Sequence, residues 1–413
     1  MSFRRSPFLL LAALAACTRG GACARPGATP LPPPAAPTLS SGPGPAAPPP
    51  AEPPVRPPFR CVPDAELSAA GLTDEAEAAL DDQGWERALG CADEALRLEP
   101  RSVRALGARG EALAALDRLP EAQLALTRAL AIDPDDAPAL AASADLHVRR
   151  LGGAHDALEA GLEQALRGLR ALTRVPRREP GLAVRLELAA AAALDDLGRP
   201  GEALGHATRA TALDREEPAA QNERGFALFE LCRFDEARAA FEATLKLAPQ
   251  DPWALHHLGL LAERRGAAVD AERLLAQAGR LAPQDFPPAV TMGPEPFREE
   301  LARAVRELGP EDRRALDGIP VQAAELPELA DLTQGQPPLS PTILGLFRGP
   351  PLDEPCQPDD GDPCRSIVLY RKNLCRFAHT QGELRRQIRV TLTHELGHLR
   401  GEDDDALRDR GLQ

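Results

Sequence analysis

The sequence predicts a mainly α protein: an α-solenoid of helical hairpins followed by a small α+β domain. Three observations lead there. A 34-residue period runs through the middle of the chain. Aromatic residues are only 3% of the chain, while alanine is abundant. The period stops near residue 286, and short apolar runs and one long amphipathic stretch follow. Many small and few aromatic residues suit helices that approach one another closely better than an aromatic-rich β domain. The 413 residues suffice for two or three cores. A net charge of −14 at pH 7 argues against nucleic-acid phosphates, so no nucleic-acid partner is expected.

The elements follow in chain order. Residues 1–17 have the form of an export signal: Arg4 and Arg5, then a short apolar run from Phe8 to Ala16. That run is too short to span a bilayer as a mature helix. It ends in Leu14-Ala15-Ala16-Cys17, which resembles the lipobox of bacterial lipoproteins. The resemblance implies cleavage before Cys17 and lipidation of that residue, so the expected location is the extracytoplasmic side of the cell envelope. Several acyl chains hold a protein stably at the outer or cytoplasmic membrane. Residues 18–61 form a Pro/Ala-rich disordered tether, with proline runs at 32–34 and 48–50. Such a stretch is extended and semi-rigid and buries no core.

Residues 62–285 carry the repeats. Leu98-Glu99-Pro100 returns as Ile132-Asp133-Pro134, and Leu247-Ala248-Pro249 as Leu281-Ala282-Pro283, each 34 residues on. Counting back from Pro134 gives Gly110, Ala122 and Ala129; from Pro283 the same places hold Gly259, Ala271 and Ala278. This pattern resembles the tetratricopeptide repeat. Clear units fall at 69–102, 103–136, 184–217, 218–251 and 252–285, with 137–183 a degenerate repeat containing an insertion. Repeats of this type stack into a curved solenoid whose concave face takes a protein partner. The adjacent His256 and His257 point apart on a helix, as surface or packing residues rather than a metal pair.

Residues 286–294 are a linker, and 295–413 form the second domain. A helix is expected over 294–308 and strands over 319–326, 343–348 and 366–371. Thr380-Gln381-Gly382-Glu383 has capping-box form and opens the last long helix. Leu384, Ile388, Leu392 and Leu399 give that helix an apolar stripe. Cys356 and Cys364 bracket a loop-like insert and are the expected disulfide in an oxidising compartment.

The long helix ends in Thr393-His394-Glu395-Leu396-Gly397-His398, then Leu399-Arg400-Gly401-Glu402-Asp403-Asp404. Positions i and i+4 share a helix face, so His394 and His398 can serve one ion. Zinc suits two imidazoles and one oxygen ligand with a water in the open place. Glu395 lies beside the histidine line, where a carboxylate can take a proton from that water. Gly401 lets the chain turn back in a left-handed conformation and present a third ligand. Asp404 is the first choice, with Glu402, Asp403 and Asp405 as rivals. Residues 295–413 resemble the minimal zincin-type metallopeptidases of bacteria, also through Phe297-Arg298-Glu299-Glu300, the 343–349 segment and Ile367-Val368-Leu369-Tyr370. The resemblance implies a zincin-like α+β fold, Zn2+ bound by His394, His398 and Asp404, and Glu395 as base. The Cys356–Cys364 insert departs from that family's pattern.

The expected activity is therefore that of a membrane-anchored zinc-dependent peptidase acting on a protein or peptide substrate. The repeats recruit substrate or partner. The strand 366–371 is expected to hold substrate by edge pairing, and Tyr370 to be packing or an oxyanion donor. The alternative is a non-catalytic cell-envelope scaffold whose zincin-like domain is structural or degenerate.

Overall fold

The structure is a computed structural model, and it describes residues 61, 67–151, 153–174, 180–356 and 363–412. Cys17, Cys23, the signal, residues 18–60 of the tether and the centre of the Cys356–Cys364 loop lie outside the described residues. No helix among those described is long and apolar enough to cross a membrane.

Six helical hairpins come first. They are α1 (Ala69–Asp81) with α2 (Trp85–Leu98), α3 (Val103–Ala115) with α4 (Leu119–Ile132), and α5 (Ala137–Asp145) with α6 (His155–Leu172). Then come α7 (Pro180–Asp196) with α8 (Pro200–Leu213), α9 (Pro218–Glu230) with α10 (Phe234–Leu247), and α11 (Pro252–Arg264) with α12 (Ala268–Leu281). Side-chain oxygens of Ser68, Ser102, Asp136 and Asp251 accept backbone N–H bonds and start the first helices of their hairpins. Each first helix packs against the first helix of the next hairpin, which sets the inside of the solenoid curve.

Two sequence devices repeat. Gln83, Asp117, Gly198, Cys232 and Gly266 all have positive φ (58° to 77°) in the turn inside a hairpin. Gly110, Gly225 and Gly259 sit where a Cβ would come 2.5–2.7 Å from Leu126, Phe241 and Leu275 of the partner helix. The degenerate unit is a complete hairpin: α5 continues into one π-helical turn, Leu146–Arg150, and α6 is 18 residues long. Among the described residues the first helix of the next unit already includes Pro180, four residues ahead of the expected 184.

The second domain contains α13 (Pro294–Glu307), α14 (Pro310–Ala315), β1 (Val321–Ala324), α15 (Leu329–Leu332), β2 (Gly345–Arg348) and β3 (Ser366–Tyr370). It closes with α16 (Arg371–Phe377), α17 (Gln381–Leu399) and α18 (Asp404–Asp409). The sheet order is β1-β3-β2, with β1 parallel and β2 antiparallel to β3. Every residue of β3 is buried. Ile367 and Leu369 face the core shared with α13 and α17, through Phe297, Leu301, Ile388 and Leu392. Val368 and Tyr370 face the other way, into a cluster with Leu332, Ile343 and Cys232, flanked by Phe234 of the repeats. The sheet is thus sandwiched between its own helices and the edge of the solenoid.

One expectation is corrected here, and one open choice is decided. The 366–371 strand is the centre of the sheet, so it has no free edge for a substrate. Tyr370 is 0% exposed on the repeat-facing side, and burial pushes its hydroxyl pKa up, so it is packing and not an oxyanion donor. The histidine pair packs as expected: His257 stacks on Phe241 and His256 on Phe286. The chain also bonds Cys61 to Cys91, tying the segment before α1 to α2, a pairing that spacing did not suggest.

Candidate metal centre on helix α17

Helix α17 carries the site. Thr380 caps it by accepting from Glu383 N–H at 3.1 Å, and the Glu383 carboxylate accepts from His379 N–H at 2.9 Å. The apolar stripe Leu384, Ile388, Leu392 and Leu399 is fully buried, which fixes the rotation of the helix. That rotation puts His394 and His398 on one side and turns Glu395 toward β2.

The two imidazoles meet through Nε2, 3.0 Å apart. Asp404 Oδ1 lies 3.6 Å from His394 Nε2 and 3.4 Å from His398 Nε2. Each Nδ1 faces a backbone carbonyl: His394 that of Leu412 at 2.7 Å, His398 that of Glu402 at 3.0 Å. A carbonyl only accepts, so each Nδ1 carries the proton and donates it. Both Nε2 atoms are then lone pairs aimed at one another and at a carboxylate. Three acceptors pointing at one spot call for a cation. Ligands on a tetrahedral zinc at 2.0–2.1 Å stand about 3.3 Å apart, close to all three separations. His394, His398 and Asp404 are the group able to hold a metal ion found among the described residues.

The electrostatics agree. Burial works against a charged His394 ring, but the Asp404 carboxylate and the Leu412 carbonyl outweigh it and hold its pKa above the usual value. His398 follows for the same reason, with Asp404 and Glu395 the main counterweights to burial. The two imidazoles hold Asp404 well below the usual carboxylate range. A field that favours a proton on these rings favours a metal cation in the same place.

The return of the chain has visible causes. Gly401, at φ 83°, ends α17 in the left-handed region. Gly397 gives room for α18: a Cβ there would sit 2.2 Å from Leu407, which is fully buried. Asp403 caps α18 through Ala406 N–H at 2.8 Å. Arg410 pairs with Glu402 and Arg408 with Asp405, so the three rivals are engaged elsewhere while Asp404 faces the imidazoles.

Glu395 is 4% exposed. Its Oε2 accepts the Phe347 N–H of β2 at 2.7 Å, which orients the carboxylate. Burial raises its pKa, with the nearby histidines pulling the other way. Gly345 makes this approach possible, since a Cβ there would lie 2.6 Å from Thr391 Cγ2 and 2.9 Å from Glu395 Oε1. A small cleft at His394 and Glu395 is also lined by Leu344, Gly345, Val390 and Thr391. Cys356 and Cys364 are disulfide-bonded at the end of the loop after β2, while Cys232 and Cys375 are buried thiols. Burial pushes the Cys375 pKa up, which suits a packing residue and not a ligand.

Residues 316–412 match the family described as zincin-like metallopeptidase. Residues 73–137 and 218–251 match tetratricopeptide repeats. The chain therefore carries tetratricopeptide repeats and a C-terminal zincin-like metallopeptidase domain, a family that implies a metal, typically zinc. Among solved structures it is similar to PilF of Pseudomonas aeruginosa, with 17% identity, TM-score 0.44, and coverage of 57% of this chain and 97% of that one. It is also similar to PilW, described as a widely conserved type IV pilus biogenesis factor (19%, TM-score 0.45, 57% and 99%). A third is YrrB, described as a TPR protein with an unusual peptide-binding site (19%, TM-score 0.35, 47% and 93%). No curated protein matches the chain.

Proposed function

We propose that this protein is a membrane-anchored, zinc-dependent peptidase whose repeats bring it a substrate or partner. One observation carries the reading: two imidazole lone pairs and a carboxylate converge on one point beside a second, separately anchored carboxylate. His394, His398 and Asp404 would hold the zinc ion. Zinc bound there would polarise a scissile carbonyl and make a bound water acidic. The Leu412 and Glu402 carbonyls hold both rings in the metal-binding tautomer. Phe347 N–H fixes Oε2 of Glu395, leaving Oε1 to receive the proton of the attacking water and pass it to the leaving amine. An extended peptide would lie along β2, an outer strand of the sheet. Tight closure over Glu395, which is 4% exposed, favours the second reading of a cell-envelope scaffold with a structural zincin-like domain.

Location belongs to the same proposal. The lipobox at Cys17 would anchor the chain outside the cytoplasm, and the tether would hold the folded part off the membrane surface. The test is metal analysis and peptide cleavage by the full chain, with Glu395→Gln beside it. The expected result is about one zinc per chain in both, and cleavage reduced about 10²- to 10⁴-fold in the variant. Zinc without cleavage of casein-like or envelope proteins supports the scaffold. A chain that binds no metal ends the peptidase reading.

A further inference from the structure

We infer that the α9–α10 turn of the repeat array, through Cys232 and Phe234, is a positioning surface for Glu395, acting through strand β2. This rests on the peptidase reading for the role of Glu395.

Strand β2 has four residues, each only partly buried, and lies at the edge of the sheet. Its side chains alternate. Phe347 packs on the α13–α17 side, and Leu346 packs on the cluster built from Cys232, Leu332, Ile343, Val368 and Tyr370. The repeats add Cys232 and Phe234 to the cover on the Leu346 side of this short strand. What β2 delivers to the site is one backbone group, the Phe347 N–H on Glu395. The three candidate ligands are held without it, by α17, α18 and the carbonyls of Glu402 and Leu412. The repeats therefore bear on the base and not on the ligands.

The contact is made from the turn of its hairpin. Cys232 occupies the left-handed position at φ 58°, which other hairpins give to Gln83, Asp117 or Gly266. A side chain is costly in that conformation. Its Sγ lies 3.7 Å from the Leu339 carbonyl, in the segment leading into β2. Phe234 lies beside it, with the Arg264 guanidinium 4.5 Å over its ring. Arg264 also donates to the Pro327 carbonyl at 2.9 Å. Glu263 pairs with Lys372 at 3.2 Å and with Arg376, fastening α16 to α11. A carboxylate misplaced by an ångström can cost about 10²-fold in rate, so support at this distance matters to the chemistry.

The experiment is amide hydrogen exchange on the full zinc-loaded chain, with zinc affinity and peptide kinetics alongside. In Phe234→Ala, protection of the Phe347 amide falls about tenfold or more, while the amides of α17 keep theirs. Zinc affinity stays unchanged, kcat falls with KM nearly constant, and Phe234→Leu restores both exchange and kcat. Cys232→Gly relieves the left-handed conformation and so keeps the fold, yet removes the same contact. It lowers Phe347 protection in the same sense, and decides the matter if Phe234→Ala does not fold. Wild-type protection at Phe347 in Cys232→Gly, or an equal loss across α17 and β2, overturns the inference. Coupling at Phe347 in a chain that binds zinc but cleaves nothing supports the positioning contact and removes the peptidase reading instead.

Discussion

The solenoid and the C-terminal domain use small residues in opposite ways. In the solenoid one solution recurs: a glycine on the first helix lets a large side chain of the second lie against it, as in Gly110 with Leu126 and Gly225 with Phe241. In the C-terminal domain each glycine has its own task. Gly345 admits β2 to Glu395, Gly397 admits Leu407, and Gly401 reverses the chain. Repetition spreads stability over many equivalent contacts. Concentration puts the chemistry on one helix, where no contact has a substitute.

That contrast can be broken or sharpened by mutation. The largest effect is expected from His398→Ala, which removes a proposed ligand and should weaken zinc binding by about 100-fold or more, measured by chelator competition. Gly345→Ala comes next. Its new methyl collides with Thr391 and Glu395 Oε1, so under the proposed peptidase function cleavage should fall about 10²-fold while zinc stays bound. Retained cleavage would show that β2 is less critical to the site than the solenoid glycines are to their hairpins. In the solenoid, Gly225→Ala should cost about 1–3 kcal/mol in denaturant unfolding, because the added carbon meets the Phe241 ring at 2.5 Å. Gly107→Ala, on the first helix of another hairpin with nothing within 4 Å of the new carbon, should instead stabilise by about 0.5–1 kcal/mol.

A smaller effect, about 1 kcal/mol, is expected in the solenoid as a pH dependence. Burial opposes a charge on Glu187 of α7, but His206 at 2.6 Å and Arg209 at 2.9 Å outweigh it and lower its pKa. A carboxylate with a lowered folded pKa adds stability above its unfolded value, and that stability is lost as pH falls through the folded value. Glu187→Gln should therefore be less stable than wild type at pH 7. The gap should narrow below about pH 4, read by thermal unfolding at both pH values.

Much of this was legible in the sequence. The 34-residue period marks the hairpins, and the spacing of His394, Glu395, His398, Gly401 and Asp404 marks the candidate centre. Side-chain identity carries both. The second set of contacts was not legible, because the groups holding His394 and His398 are the carbonyls of Leu412 and Glu402, which every residue type supplies. The central place of β3 had a signal that was misread. Ile367-Val368-Leu369-Tyr370 is a continuous apolar run without alternation, the mark of a strand buried on both faces and not of an edge. The dock was not legible either: Gln83 and Asp117 fill the same turn position in other hairpins, so a side chain at Cys232 does not mark it.

Coverage of β3 by the solenoid has a consequence for biogenesis. A chain exported by its N-terminal signal emerges N-terminus first, so on the proposed location α9 to α12 reach the folding compartment before Ser366. The strand with two sticky faces emerges to find one of its covers already folded. Placing the repeats after the metallopeptidase domain would reverse that order and leave Val368 and Tyr370 without their solenoid cover as they emerge, a setting in which unpaired apolar strands aggregate. The order of the two domains along the gene is thus part of how the sheet reaches its native partners.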